Sequence, residues 1–198
     1  MSNFTGISIL LLATVTSVLL VDIPTGAISD RTAGAVRLRD GRTYFDRPPT
    51  LVDAETTVNS VYAWGATYYF NLRLPENAGE PLQRVTISQY EGTDKIAFDR
   101  NESLALAIAP SGERTRLNAA IAITDTEPQQ VTVDFTPPIP PGSTISIGLR
   151  PYNNPRYGGV YLFGVTAFPL GEKPHGQFLG YARLHFYDRS DRSGIFRR

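Results

Sequence analysis

No cysteine occurs among the 198 residues, and histidine stands only at His175 and His185. The missing thiols exclude a disulfide scaffold, a Cys-ligated zinc or iron–sulfur centre and a thiol nucleophile. Two histidines do not make a multi-histidine metal site and leave little material for His-based triads. Net charge is missing too: 19 Lys+Arg balance 19 Asp+Glu. Without a cationic excess the electrostatic signature of a general nucleic-acid binder is absent. Lysine is confined to Lys95 and Lys173. The other basic residues are all arginine, whose planar fork grips carboxylate and phosphate at two points. There is no Gly-x-Ser-x-Gly elbow, phosphate loop, dinucleotide fingerprint or His-Glu-x-x-His. No cofactor and no metal are therefore expected.

What is present begins with an uncharged run from Ile7 to Val21. It is shorter than the roughly 20 residues a membrane-spanning helix needs. It fits the apolar part of an export signal on the general secretory route, helical in form. Asp22, Pro24 and Gly26 break the run, and small residues then offer cleavage after Ala27 or Ser29. No Lys or Arg precedes Arg31 and Met1 is the only methionine, so a start further upstream is expected to carry the basic residues. The expected organisation is a signal peptide over 1–29, one β-sandwich domain over 30–187 and a charged, frayed tail over 188–198. A mature chain of that size buries roughly 70% of its unfolded surface and needs no disulfide staple.

Period-two alternation dominates the rest. Tyr68, Phe70, Leu72 and Leu74 form one such face. Val131, Val133 and Phe135 form a second, and Ile145, Ile147 and Leu149 a third. Val160–Phe168 is apolar on both faces, which predicts a strand covered on both sides. Asp40-Gly41 reads as a two-residue hairpin turn. Pro137 to Gly142 reads as a connection, because proline cannot donate to a ladder. The C-terminal half is thus expected as a four-strand meander: Gln130–Phe135, Ser143–Arg150, Val160–Phe168 and Phe178–Tyr187. Val85, Ile87 and Gln89 allow a strand, and Leu104–Ile108 a short helix or a strand. The expected fold is all-β: a two-sheet antiparallel β-sandwich, immunoglobulin-like or jelly-roll-like, with a closed barrel as the alternative.

The segment Arg150 to Tyr187 concentrates aromatic residues, and its only acid is Glu172. The loop Asn153-Asn154-Pro155-Arg156-Tyr157-Gly158-Gly159 sets a guanidinium, amides and a tyrosine between rigid punctuation. Aromatic faces stack on sugars, arginine holds anions, and loops on a stiff scaffold carry function. Arg150, Tyr152, Asn154, Arg156, Tyr157, Arg183 and His185 are the candidate binding surface. Phe163, Phe168, Phe178, Phe186 and Trp64 are expected in the core. Asp53 with Glu55, and Asp125 with Glu127, could each share one side of a strand, though scattered carboxylates are usually solvated charge.

Five stretches resemble the cyanobacterial family called "domain of unknown function 2808". They are Val61–Tyr68, Leu74–Leu82, Gly148–Pro151, Asn154–Pro169 and Gly176–Gly180. The resemblance runs from about Tyr44 to Tyr187. It implies an exported cyanobacterial protein of the periplasm, outer envelope or thylakoid lumen, and it carries over no catalytic residue. The expected function is a non-catalytic envelope binding or structural module. Its partner would be an envelope glycan, lipid or protein. The alternative is an envelope-polymer hydrolase working through non-local carboxylates.

Overall fold

The computed structural model describes residues 36–37, 41–124 and 129–188. The expected export signal, Asp125 with Glu127, and residues 189–198 lie outside the described residues. Among the described residues twelve strands are present: β1 (Val36–Arg37), β2 (Thr43–Tyr44), β3 (Thr50–Thr56), β4 (Tyr68–Arg73), β5 (Leu82–Glu91), β6 (Phe98–Ile108), β7 (Arg114–Arg116), β8 (Ala119–Thr124), β9 (Gln130–Ile139), β10 (Thr144–Pro151), β11 (Gly159–Pro169) and β12 (Gln177–Phe186). One five-stranded sheet has the order β3-β4-β10-β6-β7 and a second the order β12-β11-β5-β9-β8. All pairing within them is antiparallel. The protein is thus an all-β, two-sheet antiparallel sandwich. Among the described residues no helix is long and apolar enough to cross a membrane.

The alternating faces meet between the sheets. Tyr68, Phe70 and Leu72 on β4 and Ile145, Ile147 and Leu149 on β10 are buried. Opposite them lie Val131, Val133 and Phe135 on β9, and Tyr161, Phe163, Val165 and Ala167 on β11. Burying each such side chain contributes about 1.5–3 kcal/mol, so a one-residue register slip on any strand would be expensive. Aromatic rings bridge the layers. Phe163 meets Phe70 edge-on at 5.6 Å, and Tyr68 stands 5.5 Å from Phe186.

The strand-to-strand order differs from the expected meander. β9 and β10 belong to different sheets, and so do β10 and β11; only β11 and β12 are neighbours. Both connections cross the sandwich. Their alternation specified an inner face but not the sheet that face belongs to. β9 also runs on past Phe135 through Pro137 and Pro138 to Ile139. It does so inside a register break, where β5 pairs Arg84 with Asp134 and then Leu82 with Ile139. The prolines therefore sit where the regular ladder asks for no N–H.

The strand buried on both faces is β10 rather than β11. Ser146 and Gly148, on its outer side, are buried together with its inner aliphatics. The reason is steric: the Tyr69 ring lies over Gly148, where a Cβ would come within 2.9 Å of it. β11 buries one face, while Val160 on the other is exposed and Leu162 and Phe168 are half-buried. Leu104–Ile108 is strand, and Val85 and Ile87 lie inward on β5. β1 and β2 pair antiparallel with Arg37 opposite Thr43, so the expected two-residue hairpin turn is not found; Asp40 lies outside the described residues.

Candidate functional site

Three connections gather at one end of the sandwich: residues 57–67 after β3, 92–97 after β5 and 152–158 after β10. Asn154 ties two of them together. It is only 3% exposed. Its amide nitrogen donates to the carbonyls of Val58 and Ser60, both at 2.8 Å. Its Oδ1 accepts from the Tyr68 hydroxyl at 2.9 Å, and its backbone N–H reaches the Ala63 carbonyl at 2.7 Å. Burial, assisted by Tyr161, pushes the Tyr68 hydroxyl far above the ordinary phenol range, so it stays a neutral donor. A buried amide with every group satisfied fixes geometry, because losing any partner would leave an uncompensated polar atom.

Arg150 holds the same loop from the side. Its Nη1 donates to the Gly65 carbonyl at 2.8 Å and to Thr67 Oγ1 at 3.3 Å. The Tyr62 N–H bonds to the Pro155 carbonyl, and the Val61 N–H to the Tyr187 carbonyl. Tyr62 is a non-glycine residue at φ +57°, in the left-handed region. Such backbone persists only where the surroundings over-determine it. The 92–97 loop passes over the Tyr161 ring at Gly92, which has φ +148° and no room for a Cβ. That loop is joined to the 152–158 loop by Asp94. Its carboxylate accepts from the Arg156 N–H at 2.9 Å and from Nε and Nη2 at 3.2 Å. These hydrogen bonds from Arg156 hold the Asp94 carboxyl below the usual range, and Asp94 raises the guanidinium in turn.

On this tied framework the aromatic side chains point outward. Trp64 is 83% exposed; Tyr62, Tyr152 and Tyr157 are each more than half exposed, and Tyr187 nearly so. The Arg156 guanidinium lies 5.9 Å from the centre of the Tyr157 ring. The expectation that Trp64 belongs to the core is therefore corrected. Tyr62 and Trp64 were missed as surface residues. Their segment lacks period-two alternation and carries Gly65, which is what a loop aromatic looks like.

The other expected residues divide. Tyr152, Arg156 and Tyr157 stand exposed at this end. Asn154 is a buried tie and Arg150 a half-buried brace. Arg183 and His185 lie on the outward face of β12, alternating with buried Ala182, Leu184 and Phe186. They are strand-face residues rather than part of the loop cluster. On the same outer face Phe178 is exposed, which corrects its expected place in the core. It packs at 5.0 Å on Tyr181, which stands 4.6 Å from Tyr90, above Gly164. These rings cover one another, and Phe178 and Tyr181 cover Gly164 beneath them. His175 lies against Tyr44, with ring centres 4.6 Å apart.

The carboxylates are dispersed. Asp53 accepts from Asn71, Asp134 pairs with Arg84, and Asp94 with Arg156. Among the described residues no group of three or more His, Cys, Asp or Glu could hold a metal ion. A groove of about 700 Å3 opens at the opposite end, lined by Arg73, Glu76, Thr115 and Ser143 among others, and no aromatic side chain lines it.

The chain is similar to several solved structures at low identity. The group B streptococcus pilus 2b backbone protein is 10% identical with a TM-score of 0.43, over 68% of this chain and 56% of that one. This chain thus spans just over half that protein's length. The collagen-binding domain of a Staphylococcus aureus adhesin is 9% identical with a TM-score of 0.36, over 62% of this chain and 87% of that one. The collagen-binding subdomain of the Enterococcus faecalis surface protein ACE is 9% identical with a TM-score of 0.38, over 71% and 98%. No curated protein matches the chain. Residues 42–186 match the family described as "Protein of unknown function (DUF2808)", and the chain belongs to that family.

Proposed function

We propose that this chain is an exported, non-catalytic binding module of a cyanobacterial cell envelope, and that the aromatic loop end is its contact surface. One observation carries the assignment. Tyr62, Trp64, Tyr152 and Tyr157 are exposed at loop positions whose backbone is held by the buried Asn154. Covering such rings with a partner removes large apolar area from water and is favourable. Rigid aromatic anchors at preorganised loops lose little entropy on binding, and such anchors dominate recognition surfaces. The surface is also electrically balanced, because Asp94 neutralises Arg156. Recognition there rests on ring faces and hydroxyls more than on net charge. The partner is an envelope glycan, lipid or protein. The compartment is the periplasm, outer envelope or thylakoid lumen, reached after cleavage behind Ala27 or Ser29.

Pull-down from envelope glycan, lipid and protein fractions tests the surface. Wild-type chain is expected to capture a component that the Trp64→Ala, Tyr152→Ala double variant captures at least ~10-fold less well. Arg156→Ala with Tyr157→Ala should weaken the same capture. Equal capture by all three would remove the assignment. For the export step, N-terminal sequencing of the mature protein is expected to begin at Ile28 or Asp30; a mature chain that keeps Ile7–Val21 would overturn cleavage.

A further inference from the structure

The two sheets have four edges, and three are visibly guarded against pairing with another chain. β3 follows Pro48-Pro49, carries a register break between Leu51 and Asp53, and exposes Asp53 and Glu55. β7 is only three residues long and exposes two arginines, Arg114 and Arg116. β12 has Gly180 at φ +126°, a register break beside it, and exposed Arg183 and His185. Short length, bulges, proline and charge are the devices by which soluble proteins blunt sheet edges.

Within its own six residues β8 has none of them; Asp125, Glu127 and Pro128 come after it in the chain. Ala119-Ala120-Ile121-Ala122-Ile123-Thr124 contains no charge, proline or glycine. It pairs with β9 in unbroken register from Ala119–Phe135 to Thr124–Gln130. Among the described residues no strand of its sheet lies on its other side. Ile121 and Ile123 touch the core but remain half-buried, and Ala120, Ala122 and Thr124 are exposed. We propose that the β8 edge is a self-association surface, at which two copies of this chain pair β8 against β8, antiparallel about a two-fold axis at Ala122.

The sequence of β8 is self-complementary in that arrangement. A residue-centred axis at Ala122 sets Ile121 beside Ile123 of the second copy, twice, on the inner face. It sets Ala120 beside Thr124 on the outer face and Ala122 beside itself. The half-buried isoleucines thereby gain β-branched neighbours, the pairing that stabilises sheets. Two five-stranded sheets become one of ten strands. A contact through one six-residue strand is small, so the dimer is concentration-dependent. Antiparallel pairing also points the two loop ends in opposite directions along the strand axis, so the dimer could join two separate partners.

The absence of cysteine supplies a direct test. Ala122→Cys gives the chain a single thiol, and the pairing brings residue 122 of the two copies to cross-strand distance, within reach of a disulfide. Mild oxidation is expected to yield a covalent dimer. Arg116→Cys, on the guarded edge β7, is expected to yield at least ~10-fold less. Sedimentation equilibrium then checks charge. Ala122→Lys and Ala122→Asp, both at an exposed position, should each raise the dissociation constant at least ~10-fold, with thermal melting unchanged. An equimolar mixture of the two should restore association. A wild-type chain that stays monomeric up to roughly millimolar concentration overturns the proposal. So does a dimer that neither charge variant weakens.

Discussion

The two ends of the sandwich are held in different ways. At the groove end the connections are tied mainly by backbone groups. Leu74 N–H bonds to the Ser143 carbonyl, Gly142 N–H to Leu74 and Asp46 N–H to Ala78. At the aromatic end a buried side-chain amide, a buried tyrosine hydroxyl and a guanidinium tie the chain. The groove end joins its connections through main-chain groups and exposes no large rings in its groove. The aromatic end sequesters polar groups inside so that rings can stand outside. The contrast teaches that display of apolar surface is supported by polar burial beneath it.

The largest expected effect comes from Asn154→Ala. It removes both carbonyl contacts and leaves the Tyr68 hydroxyl unpaired in the core. We expect a loss of about 3 kcal/mol, a fall in Tm of roughly 6–12 °C. A change below 2 °C would mean that the amide is not what holds this end. Gly92→Ala comes next, at about 2 kcal/mol, because the new methyl must displace the Tyr161 ring at a positive φ. Urea unfolding monitored by tyrosine fluorescence would register it; an unshifted midpoint would contradict the close approach.

A smaller effect is expected at Asp94, and it depends on pH. Its folded pKa is depressed by Arg156. The stability contributed by the pair is therefore present above the unfolded aspartate value of about 4. It is lost as pH falls through the lower folded value. The Tm difference between wild type and Asp94→Asn should thus be open at pH 7 and close below about pH 4. A gap that persists unchanged to pH 2 would refute the pairing. Least of all should Ser143→Ala matter at the groove end. Its hydroxyl bonds the Pro140 carbonyl in an exposed turn, and the change should stay within about 0.5 kcal/mol. Should it rival Asn154→Ala, the contrast between the two ends would collapse.

Legibility followed the range of the interaction. Tyr152, Arg156 and Tyr157 were recognisable as surface because Pro155, Gly158 and Gly159 mark a loop. Asn154, two residues before Arg156, looked alike in sequence but lies in the interior. Its partners Val58, Ser60 and Tyr68 are far away along the chain. Trp64 carried the opposite error, since a large apolar ring suggests burial unless the loop around it is known. The unguarded character of β8 was not visible either. Ala and Ile alternate with little polar contrast, and an edge exists only once the sheet is assembled.

The sequence by itself determined the inner faces of β4, β9 and β10, because alternation of side chains is a property of a single extended backbone. It also determined the excluded chemistry, because missing thiols and histidines stay missing in any fold. Only the tertiary structure decided that β9, β10 and β11 alternate between sheets, and that β10 is covered on both sides by way of Tyr69. It alone decided that Asn154 holds the loops while Trp64 is presented to solvent. Those outcomes depend on which distant segments meet, and side-chain period along one strand carries no information about its neighbour.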